Sequence, residues 1–113
     1  MAEQTPIKVL FQFTLGNPFF SASADAKQQA LAEWRDMLRK WKAAGVRLIG
    51  TFTTYGQPPA GYAHTVLLEI PRIEMLHEMN LDANRGTMGA LKMGHHFTLG
   101  ERNAFIEEWW QEG

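Results

Sequence analysis

Four stretches of this chain alternate apolar and polar residues with a period of two, and the segments between them carry helical spacing. That rhythm restricts the fold more than any other feature. In residues 7–15, Ile7, Val9, Phe11, Phe13 and Leu15 point one way, and Lys8, Leu10, Gln12 and Thr14 the other. This is a strand with one strongly apolar face. Gly16-Asn17-Pro18 breaks it, and Phe19-Phe20 falls in an irregular loop. Ser23 and Asp25 then offer caps for a helix over residues 26–44. Leu31, Trp34, Leu38 and Trp41 give that helix one apolar stripe, Asp36 and Lys40 can pair on its wet side, and Gly45 stops it.

Alternation returns over residues 46–55, with Val46, Leu48, Gly50 and Phe52 on one face and Arg47, Ile49, Thr51, Thr53 and Tyr55 on the other. A turn at residues 56–61 leads to a third strand over 62–70, where His64, Val66, Leu68 and Ile70 share a face. Pro71 closes that strand and opens a short helix whose apolar side is Ile73, Met75, Leu76 and Met79. Residues 84–89 read as a flexible loop, 93–100 as a fourth strand, and 101–111 as a closing helix with Phe105 over Trp109 and Ile106 over Trp110.

The order is βαββαβ with a C-terminal helical addition: an α+β chain of the ferredoxin-like split βαβ type. Right-handed crossovers give a four-stranded antiparallel sheet with both helices on one face. At 113 residues, the expectation is one domain over residues 1–113. The other sheet face gathers Gln12, Thr14, Thr51, Thr53, Thr65, His96 and Thr98 beside Leu10, Ile49 and Leu67. It is too apolar and too poor in charge to be left in water, and a second sheet is its natural cover. A homodimer through the sheet face follows as an expectation.

In that order and in the lengths of its elements, the chain resembles the dimeric α+β barrel superfamily over residues 7–100. The resemblance implies a small hydrophobic ligand held between sheet and helices. It also implies functions from cofactor-free monooxygenases, isomerases and cyclases acting on aromatic or polyketide-like compounds to haem binding.

Composition excludes several classes. Eleven basic against twelve acidic residues leave a formal charge of −1, and the cations are scattered, so no nucleic-acid partner is expected. The chain has no cysteine, which removes disulfides, thiolate nucleophiles and thiolate metal sites. No apolar run approaches the length of a membrane span, and the first residues lack a signal-peptide pattern, so a cytoplasmic protein without a membrane partner is expected. Seven phenylalanines, six methionines and four tryptophans supply walls for a flat organic ligand or a dry interface.

Neighbouring strand residues face opposite sides, so His95 turns toward the helices with Phe97 and Leu99, and His96 toward the presumed dimer face. His64 opens the third strand with the same orientation as His95. The two imidazoles should therefore approach each other with the first strand between them, roughly 10 Å apart at the backbone, with a small ligand between. His64 and His95 are the candidate catalytic bases. Phe13, Asn17, Phe19, Phe20, Trp34, Tyr55 and Tyr62 are the candidate substrate-binding residues, joined by Arg85, whose glycine-flanked loop could close over a carboxylate. No metal is expected, because the histidines lack a third ligand. The resulting expectation is a small-molecule ligand, aromatic or cyclic, and catalysis without a cofactor. A non-catalytic binder of the same fold, or haem held by His77, are the alternatives.

Overall fold

The computed structural model describes residues 6–53, 64–101 and 103–112. Its elements run β1 (Ile7–Thr14), α1 (Asn17–Phe20), α2 (Ala24–Ala43), β2 (Arg47–Thr53), β3 (His64–Ile70), α3 (Met75–Asn84), α4 (Gly86–Leu91), β4 (Gly94–Gly100) and α5 (Ala104–Glu112). The four strands order as β2-β3-β1-β4, every neighbouring pair antiparallel. This is the ferredoxin-like α+β arrangement that alternation implies.

The core lies between one sheet face and the helices. Val9, Phe11, Leu68 and Ile70 from the strands meet Ala30, Trp34, Met37 and Trp41 of α2, Met75, Met79 and Ala83 of α3, and Met88 of α4. Phe11 is its centre, with ring contacts to Phe97 at 4.7 Å, Trp34 at 5.6 Å and Trp41 at 5.7 Å. Such close aromatic packing is worth more than burial alone. Ser23 caps α2 by accepting from the Ala26 N–H at 3.1 Å, and Gly45, at φ 103°, ends it in a conformation that favours glycine.

Several local expectations are corrected. Phe19 and Phe20 lie in the one-turn helix α1, where the Phe19 and Phe20 N–H groups both donate to Gly16 O at 3.0 Å. Residues 86–91 are helical rather than a loop, because Glu33 of α2 caps α4 from outside. Its carboxylate accepts from the Thr87 N–H at 2.6 Å and the Met88 N–H at 3.3 Å. Lys40 does not pair with Asp36. It bonds both oxygens of buried Asp82 at 3.0 Å and approaches Glu78 at 3.5 Å, tying α2 to α3.

The faces of β2 also change partway along. A register shift between Leu48 and Gly50 is a β-bulge. Beyond it Thr51 pairs with Val66 and Thr53 with His64 on the helix side, whereas Phe52 pairs with Thr65 on the outer side. Phe52, 62% exposed, thus joins Leu10 and Leu67 on the outer face. The C-terminal helix α5 buries none of its residues. Among the described residues no helix is long and apolar enough to cross a membrane.

Candidate functional site

Strand register places the two candidate bases. Phe13 of β1 pairs with His64 on one side and His95 on the other, so all three side chains leave the same face of the sheet. The row holds no open gap for a ligand between the imidazoles, because Phe13 occupies the middle of it. Its ring stacks on His64 at 4.9 Å and 22°, and meets Trp34 edge-on at 4.7 Å. The two imidazoles consequently open onto separate clefts.

His95 faces a cleft of about 520 Å³ between α3 and the edge strand β4, lined by Ile73, Leu76, His77, Asn80 and Phe97, with His96 also at its border. Phe11 and Phe97 hold the His95 ring edge-on at 6.1 Å and 5.5 Å. Its Nε2 lies 2.7 Å from Asn80 Oδ1. An amide oxygen can only accept, so His95 Nε2–H is the donor and the basic lone pair falls on Nδ1. Burial pushes the His95 pKa below its ordinary 6.5, and the charges of Lys92 and His96 press it the same way. The lowered pKa favours the neutral ring, and the bond to Asn80 orients it with Nδ1 as the nitrogen left to accept a proton.

His64 lines a second cleft of about 420 Å³ with Phe13, Leu31, Trp34, Arg35 and Met88. Thr53 Oγ1 stands 3.5 Å from its Nδ1, a contact that exists because the bulge turns Thr53 to this face. His64, Phe13 and Trp34 thus lie together in this second cleft, and His95 lies in the other.

The remaining candidates disperse. Asn17 begins α1, Phe19 is buried in the core, and Phe20 is 60% exposed. Arg85 is a joint rather than a lid: it donates to Asp82 at 2.7 Å and reaches Glu78 at 3.5 Å, where α3 meets α4. Tyr55 and Tyr62 lie outside the described residues. Asn80 and His77 enter the His95 cleft without having been singled out as a pair. Their spacing of three residues puts them on one side of α3, but only the packing of α3 against β4 connects them to His95. Among the described residues no three histidine, aspartate or glutamate side chains gather to hold a metal ion.

No family model matches the chain, and no curated protein matches it. Solved structures do. The chain is similar to a haem-binding protein from Thermus thermophilus, with a TM-score of 0.61 and 20% identity over 83% of this chain and 40% of that one. It therefore spans well under half the length of the Thermus protein. It is also similar to a protein of unknown function from Rhodopseudomonas palustris, with a TM-score of 0.55 and 15% identity over 87% and 82% of the two chains. A third is a protein from Caulobacter crescentus, assigned provisionally as an antibiotic biosynthesis monooxygenase, with a TM-score of 0.52 and 15% identity over 89% and 92%. These likenesses, at 15–20% identity, show the fold alone and distinguish no family within it.

Proposed function

We propose that the protein acts as a homodimer and binds a small aromatic or cyclic metabolite in the cleft at the β4 edge. There His95 moves a proton without the help of a cofactor. The observation that carries this reading is the His95–Asn80 hydrogen bond of 2.7 Å inside a cleft of about 520 Å³. Asn80 holds the ring in one tautomer, and burial keeps it unprotonated. Nδ1 then takes a proton from a C–H or O–H beside a carbonyl or phenol, and the imidazolium returns it at a second atom, which is an isomerisation. Where dioxygen is the co-substrate, the carbanion left by the same first step adds to it to form a hydroperoxide, which loses a second C–H proton and expels water as its O–O bond breaks; one oxygen stays on the carbon as a carbonyl, which is a monooxygenation. Ile73, Leu76 and Phe97 supply apolar contact for the ring of the ligand. His64, on the far side of Phe13, serves ligand binding in the second cleft together with Trp34.

Proton exchange tests the reading directly. Compounds that raise the melting temperature, drawn from a panel of aromatic acids, phenols and cyclic ketones, are incubated in D₂O and followed by NMR. Catalysed deuterium incorporation, lost in His95→Ala with binding retained, is the expected result. Binding without exchange across the panel identifies a non-catalytic binder instead, and exchange unchanged in His95→Ala removes His95 from the chemistry.

Haem is a second reading, favoured by the similarity to the Thermus haem-binding protein and by His77 in the same cleft. The residues fit it only in part. His77 is an exposed imidazole that could serve as an axial ligand. A haem plane also requires an apolar slot, and this cleft mixes imidazoles and an amide with its apolar side chains. The cavity between α2 and β2, with Leu38, Trp41, Leu48, Val66 and Leu68, has no histidine among its described lining residues. A Soret band on haem titration, lost in His77→Ala, would reverse that judgement.

A further inference from the structure

Two apolar surfaces lack a partner among the described residues of this chain. One is α5: Phe105, Ile106, Trp109 and Trp110 are 71%, 52%, 61% and 86% exposed, and no other element packs extensively against them. Their spacing places all four on one side of the helix. The other is a groove of about 670 Å³ between α2 and β2, floored by Leu38, Trp41, Leu48, Val66 and Leu68. Leu48 is 64% exposed there, and nearly all of β2 is exposed with it.

The charges of the two surfaces match. α5 carries Glu107, Glu108 and Glu112 and no basic residue. The groove is bordered by Lys42 and Arg47. On the β2 side of the sheet Arg47 and Lys8 share the single carboxylate of Glu69. An acidic amphipathic helix and an apolar groove with a basic rim are complementary in shape and in sign.

The helix cannot readily fill the groove of its own chain. Gly100, Lys8, Glu69 and Arg47 form one row across the sheet, so α5 departs from the edge opposite β2, about 14 Å away. The four Cα–Cα steps from Gly100 to Ala104 span at most about 14 Å when fully extended, which leaves no slack. The connection from β3 to α3 also lies at that end of the sheet, where Arg72 and Glu74 line a small pocket together with Trp41 and Ala44. Consistent with a helix held off the body, the radius of gyration is 16.0 Å against about 13 Å for a compact domain of this size.

We propose that α5 docks in the α2–β2 groove of a second copy of this chain, reciprocally in a two-fold dimer. Four large side chains bury about 500 Å² per helix. With the grooves counted and the contact made twice, the total is about 2,000 Å², enough for a stable dimer. The inference shares with the proposed function only the statement that the chain pairs with itself, and its contacts are independent of the sheet face.

The cysteine-free sequence makes the test clean. Leu48→Cys protein is mixed with Ile106→Cys protein under mild oxidation, with Phe20→Cys plus Ile106→Cys as the control pair. The expected result is a mixed disulfide dimer of the first pair, formed at least tenfold faster than that of the control. Equal rates overturn the proposal. A Leu48→Cys/Ile106→Cys double variant that closes its disulfide within a monomer also overturns it, because α5 then serves its own groove. Trp109→Glu/Trp110→Glu, at exposed positions that the fold does not need, weakens dimerisation at least tenfold by sedimentation. An unchanged dimer in that variant overturns the proposal while leaving a sheet-face dimer standing. A dimer lost on changing the sheet face, with disulfide formation between copies retained, separates the two in the other direction.

Discussion

At the scale of single residues, the proposed chemistry turns on which nitrogen of His95 holds its proton and how readily it takes a second. Asn80 answers the first by accepting from Nε2 at 2.7 Å. Burial, and then Lys92 and His96, answer the second by lowering the pKa. An NMR titration of the His95 ring should therefore give a midpoint below 6.5. In Lys92→Gln it should move upward, and it should stay below 6.5 because burial, the larger cause, remains. A midpoint at or above 6.5 in the natural protein would mean the ring is in water. The same depression has a sign in stability. Between the folded pKa and 6.5 the unfolded chain binds the extra proton, so His95 makes the fold weaker as pH falls below 6.5. The direction in which His95 points was legible from alternation alone. Asn80 was not, because a helix residue meets a strand residue only once the helix is placed on the sheet, and no spacing in the chain encodes that placement.

At the scale of elements, two carboxylates of the helical layer act at a distance from their own position in the chain. Burial alone would raise the Glu33 pKa, but hydrogen bonds from Gln29 and from the Thr87 and Met88 N–H groups outweigh it and hold the carboxyl below its ordinary 4.5. Its capping of α4 is thus present above pH 4.5 and lost as pH falls through the folded value. Glu33→Ala should cost about 1 kcal/mol in urea denaturation at pH 7. Gly86→Ala should also destabilise the fold. Gly86 has φ +68°, and a Cβ there would lie 2.5 Å from Glu33 Oε1. Asp82 is the second such carboxylate. It is 8% exposed and accepts from Lys40, Arg85 and the Trp41 indole, the last at 3.0 Å. Asp82→Ala strands that buried indole N–H and should cost about 2 kcal/mol, whereas Asp82→Asn keeps an acceptor and should cost less. Helix α2 and all four strands were readable from period and caps. The helix α4 was not, since its cap comes from Glu33, far away in sequence, and Gly86 and Gly89 locally argue for a loop.

At the scale of the whole molecule, the question is what covers the outer face of the sheet. The helices α1 to α4 that build the core lie on the other face. The outer face presents Leu10 and Leu67 side by side in register, with Phe52 added where the bulge in β2 turns it outward. Alternation without a bulge sends Phe52 inward and Thr51 and Thr53 outward, which understates how apolar this face is. One extra residue in a strand reverses every side chain beyond it, and the sequence carries no mark of that residue. Leu67 sits near the middle of the face, on β3 between β2 and β1. An arginine there would bring an unpaired charge into the dry centre of two packed sheets. It would cost the separated subunit little, because Leu67 is only half-buried in the single chain. Leu67→Arg should therefore leave the melting of dilute protein nearly unchanged, and it should shift the mass in sedimentation toward the monomer by a factor of ten or more in dissociation constant. A variant that unfolds would show Leu67 to be part of the subunit's own core. A variant that stays folded and dimeric would show that the sheet face is not where the two copies meet.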